Sequence, residues 1–210
     1  MRVLRCGSDA VLVEAGDAER ARRLHDALRA AAPAGVVELV PAARTVLVRY
    51  DPGVTDWQRL TTAVTALPLA EALPGATAGV PTDAGAVLIP VRYDGPDLAE
   101  VAALTGLTVR QVVERHTAAH YRVAFCGFAP GFAYLTGLDP VLRVPRRAEP
   151  RTRVPAGAVA VADEYTGVYP RPSPGGWRLL GSTALTLWDT AADPPTRLLP
   201  GTSVRFVETD

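Results

Sequence analysis

Three short runs in the second half of this 210-residue chain hold the residue types from which a site is built. The first, residues 125–138, alternates phenylalanines and a tyrosine with glycines around a Pro130-Gly131 turn. Glycine lets another group approach the backbone closely, and aromatic rings supply flat apolar walls. Phe128, Pro130, Gly131 and Phe132 are therefore candidates for a pocket wall. A barrel corner with its core aromatics would have the same composition. The second run, residues 145–157, sets Arg146, Arg147, Arg151 and Arg153 among prolines of fixed φ. Guanidinium groups on a stiff loop suit bidentate recognition of carboxylate or phosphate, although a solvated surface loop would read the same way. Arginine keeps its proton, so these groups can bind or stabilise charge but cannot act as bases. The third run, residues 166–177, contains Ser173-Pro174-Gly175-Gly176, a turn that offers backbone N–H groups and a hydroxyl to an anion. Thr166 and Tyr169 of the same run join it as binding candidates.

His116 is the candidate for proton transfer, because it titrates near neutrality and its helix leads into the first run. A core histidine satisfied by a backbone carbonyl is the alternative. Every basic residue is arginine, so the chain has neither a Schiff-base lysine nor the lysine of a Walker-type P-loop. Cys6 and Cys126 fit no metal-ligand spacing and read as free thiols; no metal site is expected.

The 22 basic and 22 acidic side chains cancel, which removes the electrostatic term that nucleic acid or anionic lipid would exploit. Residues 98–116 mimic a DNA-binding helix-turn-helix, but Asp94, Asp97, Glu100 and Glu114 offset the local arginines. No stretch approaches the ~18 apolar residues of a membrane span, and the first residues lack the apolar run of a signal peptide. The expectation is a cytoplasmic protein with no nucleic-acid or membrane partner.

The elements that must position these residues follow from pattern. In residues 1–67 a strand at Val11-Leu12-Val13 leads to a helix that Asp17 can cap, with Ala21, Leu24, Leu28 and Ala31 on one face. Strands at 36–40 and 45–50 come next. A helix capped by Thr55 or Asp56 then buries Trp57, Leu60, Val64 and Leu67. The order β-α-β-β-α is that of a ferredoxin-like split βαβ lacking only a final strand. Residues 68–84, rich in Pro, Gly, Ala and Thr, lose all periodicity and read as a linker. Residues 85–210 form the second domain: a strand, two short helices, and then short β runs suited to a barrel. Gly106 ends the first helix, and Thr108 with Gln111 forms a capping box for the second.

The phrases GFAPGFAYLTGL at 127–138, PRRAEPRTRVPAGAV at 145–159 and TGVYPRPSPGGW at 166–177 together resemble the family of 5-oxoprolinase B subunits. That family is also known as allophanate hydrolase subunit 1, and it includes the Kip-type inhibitor of a sporulation histidine kinase. His116-Thr117 sits where the family's helix-ending histidine is expected. Ala158, Ala160, Tyr165 and Ser182 stand where the family usually has other residue types.

The resemblance implies an α+β protein, with a ferredoxin-like N-terminal domain followed by a cyclophilin-like β-barrel C-terminal domain. It implies two partners, the C subunit of the same family and a lactam-handling A subunit, and an ATP-dependent opening of 5-oxo-L-proline to L-glutamate. ATP, with Mg2+, is expected to bind in the complex. The chain alone is expected to be inactive. Related readings are an allophanate hydrolase-type amidolysing subunit and a non-enzymatic inhibitor of a sensor histidine kinase.

Overall fold

The first unit is built on short-range signals. A computed structural model of the protein describes residues 1–68 and 85–210. These cluster into two units, Met1–Gly79 and Val80–Asp210. The linker assigned to 68–84 lies outside the described residues apart from Pro68. In the first unit, β1 (Arg2–Cys6), β2 (Ala10–Glu14), β3 (Val36–Pro41) and β4 (Thr45–Tyr50) form one antiparallel sheet in the order β1-β2-β4-β3. Helices α1 (Ala18–Ala31) and α2 (Trp57–Ala66) supply the remaining apolar faces.

Asp17 and Asp56 cap these helices by accepting from Arg20 N and Arg59 N, each at 2.8 Å. Ala21, Leu24 and Leu28 of α1 join Leu60 and Val64 of α2 over Val11, Val13, Val46 and Val48 in one core. Ala31, expected on the same stripe, is exposed in the last turn of α1.

The ferredoxin-like order has its fourth strand, but that strand comes from the beginning of the chain. β1 takes the edge beside β2 that a strand after α2 would otherwise fill. Pattern reading missed it because Arg2 and Arg5 break its apolar alternation, as charges commonly do on edge strands.

The second unit contains β5 (Val87–Val91), α3 (Leu98–Thr105), α4 (Val109–Ala118), β6 (Tyr121–Cys126) and β7 (Ala133–Thr136). After a 3-10 turn at Pro140–Leu142 come β8 (Arg151–Val154), β9 (Ala158–Ala162), β10 (Tyr165–Val168), β11 (Ser173–Gly175), β12 (Arg178–Ser182) and β13 (Ser203–Glu208). Seven of these strands form a sheet in the order β12-β9-β10-β7-β6-β13-β5, in which β13 and β5 run parallel and the other described pairs antiparallel.

The two edges of that sheet meet, which makes a nearly closed, cyclophilin-like barrel. Arg92 and Ser182 exchange backbone hydrogen bonds at 2.9 and 2.8 Å, and Asp97 N donates to Leu179 O at 3.1 Å. A Cβ on Gly181 would collide with the Arg92 carbonyl oxygen, so glycine permits this seam. β8 and β11 form a separate two-stranded ribbon that carries the second and third sequence runs.

The barrel core gathers Ile89, Val101, Val112, Leu135, Val159, Leu180 and Phe206. α3 lies against β12 and α4 against β13. Both helices are bounded by the expected signals: Gly106 adopts φ 69° at the end of α3, and the Thr108–Gln111 capping box is formed. Among the described residues no helix is long and apolar enough to cross a membrane.

Candidate functional site

The first run is the connection between β6 and β7. Backbone bonds Phe132 N to Ala129 O (3.0 Å) and Gly127 N to Phe132 O (3.2 Å) close it into a tight turn. Gly131 has φ 78°, and a Cβ there would come within 2.7 Å of the Trp188 side chain. Phe128 also takes a left-handed conformation, with φ 68°. For a non-glycine residue this costs on the order of 1 kcal/mol. The residue is nevertheless 57% exposed. A strained backbone that leaves much of a large aromatic in solvent is not explained by core packing alone.

Beneath Phe128 lies an aromatic cluster drawn from the first and third runs. Phe132 meets Phe128, Tyr169 and Trp177 edge to face, with centroids 5.3, 5.3 and 5.4 Å apart. Tyr134 stacks on Phe125 at 4.4 Å and meets Trp177 at 5.5 Å. Phe132, Tyr169 and Trp177 are buried, so ligand access falls to Phe128, half-buried Tyr134 and exposed Pro130. Burial raises the Tyr169 phenol; a backbone hydrogen bond from Trp177 and the nearby Arg146 charge pull it back only in part.

The arginine run divides into two kinds. Arg147 Nη1 and Arg151 Nη2 both donate to Oδ1 of Asp97, at 3.0 and 2.7 Å. Leu179 N donates to the other carboxylate oxygen at 2.7 Å. Asp97 is 2% exposed. Burial on its own would raise this carboxyl, but hydrogen bonds from Arg151 and Leu179 and the charges of Arg151 and Arg147 hold it below the ordinary range. Arg146 and Arg153 are exposed instead. The nearest ion partner of Arg146 among the described residues is Asp163, at 3.7 Å.

The second and third runs are fastened to each other. Arg147 N donates to Gly176 O at 2.8 Å, and Gly175 pairs with Arg151 across the β8–β11 ribbon. A Cβ on Gly175 would strike the Tyr169 hydroxyl. The Ser173-Pro174-Gly175-Gly176 turn thus commits part of its backbone to the ribbon, and the Ser173 hydroxyl donates to Arg171 O at 3.3 Å.

His116 and Thr166 are brought together, but in the interior. His116 is 0% exposed. Its Nδ1 lies 2.7 Å from the Tyr93 hydroxyl and its Nε2 lies 2.9 Å from Thr166 Oγ1. The Thr166 hydroxyl gives its one proton to Ala160 O at 3.0 Å, so it must accept from Nε2–H. Nδ1 then carries no proton and accepts from Tyr93. Desolvation lowers the imidazole pKa to about 3, which leaves it neutral. Neither ring nitrogen is free to exchange a proton with a ligand in this arrangement.

Sequence reasoning did not single out Asp97, Glu100, Tyr134 or Arg178 as site residues. In sequence Asp97 reads only as an acidic residue offsetting the local arginines; it stands at the N-terminus of α3, where its side chain makes no capping bond. Ala158, Ala160 and Tyr165, which depart from the usual family residues, are all buried, while Ser182 bonds Asp94 at the barrel seam at 3.0 Å. Among the described residues no group of three or more His, Cys, Asp or Glu side chains is placed to hold a metal ion.

The B subunit of 5-oxoprolinase from Escherichia coli O157:H7 is 57% identical over 122 residues, which is 57% of this chain and 56% of that protein. The chain spans about half the length of the curated relatives it matches, with 52–57% of each covered. The solved structure of TTHA0988 superposes with a TM-score of 0.75 at 40% identity, over 96% of this chain and 40% of that one. The Kluyveromyces lactis urea carboxylase shares the fold, with a TM-score of 0.72 at 20% identity over 99% of this chain and 22% of that one. The family model of the carboxyltransferase domain, subdomain C and D, matches residues 1–198, and the chain therefore belongs to that family, the family of the 5-oxoprolinase B subunits.

Proposed function

We propose that this chain acts as the B subunit of a cytoplasmic, ATP-dependent 5-oxoprolinase complex. With a C subunit and a lactam-handling A subunit, it would open 5-oxo-L-proline to L-glutamate. The observation that carries the reading is the convergence of all three runs. The exposed Phe128, the aromatic cluster below it and the arginine ribbon are locked together through Arg147 N–Gly176 O and Gly175–Tyr169. The names of the relatives supply the substrate class.

The chemistry suits these parts. A lactam carbonyl is a poor electrophile. Attack of its oxygen on the γ-phosphorus of ATP expels ADP and leaves an activated carbon; water adds there, the ring C–N bond breaks to give an acyl phosphate, and a second water releases phosphate and the free carboxylate. Such a transfer depends mainly on positioning and on stabilising charge. In this chain Phe128 and Tyr134 would face the planar lactam, and an exposed guanidinium would take its carboxylate or a phosphate oxygen. His116 would serve by fixing Thr166 and the β10 backbone. Mg2+ has no carboxylate cluster here among the described residues, so no step is assigned to a metal on this chain.

The test is ADP release by this chain mixed with its C subunit, with and without 5-oxo-L-proline, followed by addition of the A subunit and assay for glutamate. Lactam-stimulated ADP release that needs both chains supports the reading. No stimulation from a demonstrably assembled complex would discard the substrate.

A further inference from the structure

We infer that Asp97 is a positioning residue for Arg146, an exposed arginine of the loop that can take a carboxylate or phosphate group. This rests on the reading of the arginine ribbon as an anion site given above.

Arg146 is held on both sides by its neighbours. The carbonyl of Pro145 accepts from Arg178 Nε at 3.0 Å, and the N–H of Arg147 is bound to Gly176 O at 2.8 Å. Each of these clasps is itself braced by α3. Arg178 Nη1 lies 2.5 Å from Glu100 Oε2, and the Arg147 guanidinium is held by Asp97. The backbone on either side of Arg146 is therefore fixed while its side chain remains 58% exposed. Its ion contact among the described residues, Asp163 at 3.7 Å, is longer than a hydrogen bond and is itself exposed. An incoming anion would displace little.

Charge points the same way. Two carboxylates, Asp97 and Glu100, face three guanidinium groups, Arg147, Arg151 and Arg178. The brace is thus one positive charge in excess before Arg146 is counted. Nε of Arg147 and Nη1 of Arg151 are buried without hydrogen-bond partners, so the carboxylates have not used up the donors around them. Beside this cationic patch stand Tyr134 and Tyr169, whose phenols both feel the Arg146 charge. A flexible surface arginine would lose orientational freedom on binding; one set on a clamped backbone loses less, which is the gain from preorganisation. Asp97 provides this while leaving the N-terminus of its own helix uncapped.

The experiment is titration of the full chain with inorganic phosphate and, separately, with 5-oxo-L-proline, following arginine side-chain N–H resonances and heat. The wild type should bind at least one of them saturably, with the Arg146 signal shifting; whichever binds identifies the source of the anion. Arg146→Ala should weaken that binding by roughly tenfold or more while leaving the fold intact. Asp97→Asn should weaken it comparably although Arg146 is untouched. Should Asp97→Asn fail to fold, the charge-free combination of Asp97→Leu with Arg147→Met and Arg151→Met restores packing. That variant should fold and still bind poorly. A wild type that binds neither anion overturns the inference, as does a folded Asp97 variant with wild-type affinity. These outcomes are independent of ADP release by the assembled complex, on which the proposed function stands or falls.

Discussion

Nε2 of His116 on α4 donates to Oγ1 of Thr166 on β10 across 2.9 Å, joining a helix to the barrel wall through about fifty residues of intervening chain. Continued through Tyr93 and the Ala160 carbonyl, the chain of hydrogen bonds leaves the imidazole fully satisfied and neutral. Its value lies in uniting two elements, and it carries a cost in acid.

The folded pKa of His116 lies near 3 against 6.5 for the free group, so the unfolded state binds the proton first. The contribution of this imidazole to stability is present above about pH 6.5 and is lost as pH drops toward 3. The slope approaches roughly 1.4 kcal/mol per pH unit between the two values. Urea unfolding between about pH 7 and 4 should show this slope in the wild type and a shallower one in His116→Gln. Equal slopes would contradict a neutral buried imidazole.

Thr166→Val removes both a donor and an acceptor, leaving Nε2–H without a partner and costing the Ala160 carbonyl one of its hydrogen bonds. Tyr93→Phe strands only Nδ1. Thr166→Val should cost about 3 kcal/mol and Tyr93→Phe about 1–2 kcal/mol. Urea midpoints at neutral pH check the order, and the reverse order would break the proton assignment derived above.

Phe128→Gly relieves a left-handed conformation but loses ring-edge contacts with Phe132 and Tyr169. Stability should change by less than about 1 kcal/mol in either direction. Lactam-stimulated ADP release by the assembled complex should fall by roughly tenfold or more. A variant that keeps full activity would show that the exposed ring is not part of the site.

Gly181→Ala places a methyl group against the Arg92 carbonyl at the barrel seam. The backbone must move, and about 2–4 kcal/mol of stability should be lost. Hydrogen exchange should rise first at Arg92 and Ser182, whose amides span the seam. Protection there equal to that of the wild type would mean the barrel closes without this contact.

Much of the scaffold was readable from local chemistry. Asp17, Thr108 with Gln111, and Gly106 mark helix ends because capping is settled within a turn or so of the chain. The ferredoxin-like order was visible in alternation and period alone. The three runs announced a site through composition and through their resemblance to a family. These are short-range signals, or patterns of residues held in sequence.

What tertiary structure decided was who meets whom. β1 completes the first sheet because an edge beside β2 was open, a vacancy that its charged sequence gives no sign of. Arg147 and Arg151 look the same in sequence as Arg146 and Arg153. Only the arrival of Asp97, at least fifty residues away, turns the first pair into a brace and leaves the second exposed. His116 titrates in sequence and is neutral in the fold, because desolvation depends on every element packed around it. Partnership and burial are properties of topology, and a residue's own type and spacing do not encode them.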